Sequence, residues 1–186
     1  MSQITKQALG DALRHFLAQK PLNKITISDL TDHCGISRMT FYYHFEDIYD
    51  LVIWCCTENI SKVLDTENLR ETWQEGFLGI FHIMQEDRTL VLNVFRVMGR
   101  GQMEQLAAPL IHQVVSGVIE TESRPYHISE EDKAFVTRCY GYVFSGVILD
   151  WIQNGMTVDP AAIVKRLDTL LGGSIPLALS HFSDKI

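Results

Sequence analysis

Along the start of the chain, Ala8, Leu9, Ala12, Leu13, Phe16 and Leu17 recur at i, i+3 and i+4 spacing. That spacing lays them on one face and predicts an amphipathic helix over 5–19, limited by Pro21. A second helix follows a Thr26 cap, with Asp29 three positions on as a short-armed capping box. Ile27, Leu30 and Cys34 face inward along it, and Gly35 is its stop. Ser37 can cap a third helix, Arg38–His44, in which Phe41 and Phe45 fall four apart on one face. These two rings are expected to anchor on Leu13, Phe16 and Leu30. Arg38, Met39, Thr40, Tyr42, Tyr43 and His44 are then left pointing outward.

Asp47 can cap a long fourth helix to 63, with Leu51, Trp54, Cys55, Ile60 and Val63 on its pattern. Helical periodicity continues over 69–85, 89–98, 103–120, 131–154 and Pro160–Leu171, with breaks at 99–101, at 123–127 and at Gly155. No sustained apolar–polar alternation and no Asn-Gly or Asp-Gly turn argues for strands. The pattern therefore predicts an all-α chain of about nine helices, divided into a three-helix unit over 1–47 and a larger helical unit over 48–186. Residues 131–154 (EDKAFVTRCYGYVFSGVILDWIQN) are apolar on nearly every side in their second half. Such a helix requires burial on two flanks. Its own core supplies one, and a second subunit is expected to supply the other, with Gly141 and Gly146 permitting close approach.

Composition narrows the function. Of 186 residues, 46% are hydrophobic and 21% charged, the balance of a soluble globular protein. No run approaches the roughly 20 apolar residues of a membrane span, so no membrane partner is expected and the cytoplasm is the expected location. The cysteines Cys34, Cys55, Cys56 and Cys139 contain no CxxC pair, and reduced thiols are expected. The formal charge of −7 is uneven: five basic residues against three acidic ones put 1–45 at +2, so the remainder carries −9. An N-terminal unit that tolerates phosphates, joined to one with no such need, fits that asymmetry.

Seven histidines form no HxxxH or HExxH, so neither a metal nor another cofactor is expected. No GxSxG motif or placeable Cys–His pair argues for an enzyme. Two short helices joined by a Gly-containing turn, the second presenting polar and aromatic side chains, are instead the plan of a helix-turn-helix DNA reader. Arg38 and Thr40 can reach base edges near the start of the second helix, the Thr methyl suiting a thymine methyl. Tyr42, Tyr43 and His44 can donate to phosphate oxygens, and the positive helix start at Ser37 adds to that attraction. A helical protein-interaction module using the same scaffold remains the alternative; its binding need not weaken steeply with salt, whereas phosphate binding must.

The stretch ITISDLTDHCGISRMTFYYHFEDIYDL (25–51) resembles the N-terminal signature of TetR/AcrR-type transcriptional regulators, and DWIQNGM near the C-terminus is similar to the dihydroxyacetone-kinase-operon-like subgroup. The resemblance implies an all-helical homodimer that binds double-stranded DNA at a palindromic operator and often takes a small-molecule effector in its C-terminal domain; a repressor is the expected role, although the residues themselves encode neither repression nor activation. Carried over by position, it puts Thr26 and Ser28 at the start of the first motif helix against phosphate or bases. Arg38, Met39, Thr40 and Tyr42 fall at base-reading positions, and Tyr43 and His44 at phosphate-contacting ones. Many members have Lys where this chain has Ile48, and Glu46, Asp47 and Asp50 make that edge acidic. For an effector, polar groups set within apolar helices point to Phe81, Phe95, Arg96 and Tyr140. The operator sequence, the regulated genes and the effector's identity are not encoded in these patterns.

Overall fold

Helix capping, visible atom by atom, sets the boundaries of the N-terminal helices. In the computed structural model, which describes residues 2–64 and 72–183, α1 spans Ser2–Leu17 and a 3-10 turn Leu22–Lys24, followed by α2, Ile27–Cys34, and α3, Arg38–His44. Thr26 Oγ1 accepts from the Asp29 N–H at 3.1 Å, and Asp29 Oδ2 accepts from the Thr26 N–H at 2.8 Å, completing the capping box. Gly35 ends α2 in the left-handed region (φ 65°, ψ 32°). Ser37 Oγ accepts from the Thr40 N–H at 3.1 Å and so starts α3 where expected.

The rest of the chain forms α4 (Ile48–Leu64), α5 (Trp73–Glu86), α6 (Arg88–Ser123), α7 (Glu130–Gln153), α8 (Pro160–Leu171) and α9 (Ser174–Phe182). Asp47 Oδ1 caps α4 by accepting from the Asp50 N–H at 2.8 Å. Among the described residues every regular element is helical, in agreement with the all-α reading. The predicted start of the fifth helix at 69 and the side chains of Ile60 and Val63 lie outside the described residues. The two helices expected over 89–98 and 103–120 are the two limbs of α6, which bends at Gly99, where φ 74° and ψ 177° are accessible essentially to glycine alone. The pattern missed α9. Its Pro176 and the preceding Gly172 and Gly173 read as a loop, yet proline is tolerated in a first helical turn, and Ile175 and Leu179 bury one face at i, i+4 spacing.

A single buried cluster runs from Leu9 and Leu13 through Leu30, Phe41 and Phe45 into Leu51, Val52 and Cys55, and on to Phe77, Phe81, Ile148 and Leu179. Phe16 packs against that cluster from its edge. The anchoring expected of Phe41 and Phe45 is thus met, and the core is continuous across 47–48. In the C-terminal unit α6 packs most extensively along α7. The DWIQNGM stretch forms the turn out of α7. There Met156 N–H donates to Trp151 O at 2.8 Å, Gly155 takes φ 78°, and the Trp151 indole N–H reaches Val158 O at 2.8 Å. Arg88 donates to Gly155 O at 2.7 Å, binding the start of α6 to this turn.

Two stability measurements follow. Phe41 is fully buried, so Phe41→Ala leaves a cavity and is expected to cost about 3–5 kcal/mol in chemical denaturation. Asp29 tests the cap through pH. The Lys20 hydrogen bond first, then those from Thr26, hold its carboxyl down to about 2 from an ordinary 3.8. A carboxylate whose folded pKa is depressed contributes stability above the unfolded value and loses it as pH falls through the folded one. The stability gap between the parent and Asp29→Asn should therefore be constant above pH 3.8 and close as pH falls to about 2.

Candidate nucleic-acid interface

With Phe41 and Phe45 turned into the core, the opposite face of α3 is set outward. Met39 is 83% exposed, Tyr43 82% and Tyr42 52%; Arg38 is also exposed, while Thr40 and His44 are half-buried. The Tyr43 and His44 rings meet edge to face at 4.9 Å, which orients both at the end of α3. Thr40 Oγ1 lies 2.9 Å from Ser37 Oγ, so the capping hydroxyl also fixes the rotamer of its neighbour on the outward face. Thr26 is exposed and Ser28 half-buried at the start of α2. All nine positions singled out in the sequence thus belong to α2, α3 and their caps.

Electrostatics along this face are mixed. Lys20 Nζ pairs with Asp29 Oδ2 at 2.8 Å and lies over the Phe16 ring, 5.0 Å from its centroid. Beyond α3 the acidic edge is turned to internal use. Asp47 caps α4, and Asp50 Oδ2 accepts from the Glu46 N–H at 3.0 Å. The Glu46 and Asp50 amides at that edge are therefore occupied by the chain's own carboxylates, and half-buried Ile48 packs on the core instead of presenting an ammonium group.

The four effector positions lie apart in role. Phe81 is sealed in the core, edge-on to Phe77 at 5.0 Å and to Trp151 at 4.7 Å. The Tyr140 hydroxyl donates to Ser174 Oγ at 2.8 Å, Phe95 is half-buried, and Arg96 is exposed. None of the four lines the apolar cavity of about 50 Å³ between α4, α5 and α6, whose walls include Cys55, Cys56, Met84, Val91, Met103 and Leu106. Burial pushes the Cys55 and Cys56 thiols up to about 12, leaving both protonated near neutral pH. Asp87 is the one charged group among the described residues of that wall. It accepts from Arg14 Nε at 3.0 and 2.9 Å and pairs with Arg14 Nη2 at 2.8 Å. Hydrogen bonding to Asp87 raises the Arg14 pKa. Sequence reading missed this pair, since two residues 73 positions apart carry no periodic signal of their contact.

Among the described residues no helix is long and apolar enough to cross a membrane, and no group of three His, Cys, Asp or Glu side chains is gathered as metal ligands. Comparison with known proteins agrees with this layout. Residues 9–53 match the family model of bacterial regulatory proteins, tetR family, and residues 71–173, more than half the chain, match that of a transcriptional regulator C-terminal region. The chain is 20% identical over 165 residues to DhaS of Lactococcus lactis, an HTH-type dhaKLM operon transcriptional activator, covering 85% of this chain and 84% of that protein. A solved structure of the dihydroxyacetone kinase operon activator DhaS superposes with a TM-score of 0.71 at 18% identity, over 97% of this chain and 99% of the other. The TetR family repressor AlkX from Dietzia aligns at 0.57 and 16% identity, over 94% and 96%. The likeness to DhaS supports the subgroup resemblance read from DWIQNGM. Together the two family matches establish that the chain belongs to the TetR family of bacterial transcriptional regulators, DNA-binding proteins built on this fold.

Proposed function

We propose that the chain acts as a homodimer on a palindromic operator, each subunit laying α3 into a major groove. The observation that supports this most directly is the sidedness of α3, with Phe41 and Phe45 buried and Arg38, Met39, Tyr42 and Tyr43 exposed. Arg38, Met39, Thr40 and Tyr42 read base edges in this account. Thr26, Ser28, Ser37, Tyr43 and His44 hold phosphates, which sets register without specifying sequence. Since Asp47 and Asp50 occupy the start of α4, α2 and α3 carry the phosphate contacts.

Dimerisation is proposed through α7 and α8. Phe135, Cys139, Tyr142, Val143 and Gly146 fall at i, i+4, i+7, i+8 and i+11 along α7, and all except half-buried Gly146 are exposed. That is an apolar stripe one helix wide. A side chain added at Gly141 or Gly146 would meet nothing within 4 Å in the subunit, so neither glycine is required by packing within it. An obligate dimer built on this stripe buries on the order of 2,000 Å² or more.

Regulation by a small effector in the C-terminal domain completes the reading. The apolar cavity beside Asp87, walled by α4, α5 and α6, is proposed as the site in place of the surroundings of Phe81, Phe95, Arg96 and Tyr140. Its volume of about 50 Å³ admits a few heavy atoms, so a drug-sized ligand, which fills about 300 Å³ or more, binds there by parting α4 from α6. The sign of regulation follows from where the operator lies relative to the promoter. DhaS is described as an activator and AlkX as a repressor. Repression is proposed for an operator that overlaps the promoter.

Titration against duplex DNA across a salt series tests the interface. Tyr43→Phe and His44→Ala are expected to keep the parent's melting temperature and weaken binding to all sequences. Arg38→Ala is expected to change which base pairs are preferred, by roughly 1–3 kcal/mol of discrimination. Parent-like binding by all three variants would instead favour the protein-interaction reading. For the dimer, sedimentation of Tyr142→Glu with Val143→Glu should give a folded monomer at micromolar concentration where the parent is dimeric.

A further inference from the structure

Two consecutive residues, Asp87 and Arg88, stand where α5 passes into α6, and each grips a different element. Asp87 takes both carboxylate oxygens to the Arg14 guanidinium on α1, at 2.8 to 3.0 Å. Arg88 donates at 2.7 Å to Gly155 O in the turn that ends α7. The first contact is partly sheltered, the side chains of Arg14 and Asp87 being 31% and 20% exposed. A forked guanidinium–carboxylate pair fixes direction as well as distance, which a single ammonium contact does not. Asp87 is also held through its backbone: its N–H reaches Ile83 O at 3.4 Å and its carbonyl accepts from Val91 N–H at 3.0 Å. The carboxylate can therefore follow Arg14 only as far as its two side-chain torsions allow before the α5–α6 junction must move.

We propose that this junction is the positional link between the reading unit and the dimer helices. Arg14 and Asp87 set the angle of α1, and with it of α3, while Arg88 ties the same point to the end of α7. In a dimer joined through α7, that angle fixes the separation of the two reading helices. Separation is what a palindrome with a defined half-site spacing selects, since the two helices must meet major-groove faces about one helical turn, or a multiple of it, apart. Arg14, Asp87 and Arg88 touch no DNA in this account; they are positioning residues. The inference rests on the DNA-reading dimer proposed above.

The test uses the full-length protein and the palindrome recovered by selection from random duplex DNA, with its half-sites moved apart or together by one or two base pairs. The parent is expected to bind the recovered spacing best. Arg14→Gln, Asp87→Asn and Arg88→Ala, each checked by thermal melting, are expected to bind the recovered spacing more weakly by roughly 5- to 150-fold, the usual range of coupling between sites. They are also expected to flatten the preference among spacings while keeping parent-like affinity for a single half-site. Exchanging the charges, Arg14→Asp with Asp87→Arg, should restore part of the preference. Variants that keep the parent's spacing preference would overturn the link. So would an equal loss at every spacing and at the single half-site, which is the mark of a purely structural contact. A parent with no spacing preference would overturn the dimeric DNA reader itself, and the link with it.

Discussion

The outward face of α3 depends on the burial of Phe41 and Phe45. The helix that carries Phe41 and is capped by Phe45 has seven residues, too short to hold together in water by its own hydrogen bonds. Its existence is a consequence of tertiary packing, in which two rings four positions apart dock on a core built from Leu9, Leu13 and Leu30 and continued by Leu51 and Val52. Once they are docked, helical geometry leaves Arg38, Met39, Tyr42 and Tyr43 no inward direction. The outward face is thus the complement of the anchor, and its precision is that of the core beneath it.

Charge is distributed to suit this division. The N-terminal 45 residues carry a small positive excess within a strongly acidic chain. Several acids near the reading face have internal tasks: Asp29 closes the cap of α2 and pairs with Lys20, and Asp47 caps α4. Asp87 serves differently. It lines the apolar cavity, stands between α5 and α6 and holds Arg14.

How far the sequence alone revealed this follows from the range of each interaction. Caps, stops and amphipathic faces are local, and Thr26, Gly35, Ser37, Asp47, Phe41 and Phe45 all behave as their spacing predicts. The bend at Gly99 was likewise visible as a break in periodicity. Local patterns failed where a proline and two glycines disguised α9, although Pro176 sits in the one part of a helix that tolerates it. They also failed where contact is long-range. Nothing near Arg14 in the sequence points to Asp87, and the cavity walls are drawn from three helices. The all-round apolarity of α7 was legible, but its division into an inner face of Phe144, Ile148 and Trp151 and an outer one of Phe135, Tyr142 and Val143 emerged only from the packing.

In the proposed dimer the outward face of α3 is presented twice and reads DNA. Selection of bound fragments from random duplex DNA, carried out in parallel for the parent and for the Arg38→Ala, Thr40→Ala double variant, tests it most directly. The account predicts that the parent enriches a palindrome with half-site centres about one helical turn, or a multiple of it, apart, and that the variant loses or shifts the preferred bases within each half-site. Recovery of no palindrome by the parent, or of the same palindrome with equal stringency by the variant, would contradict it.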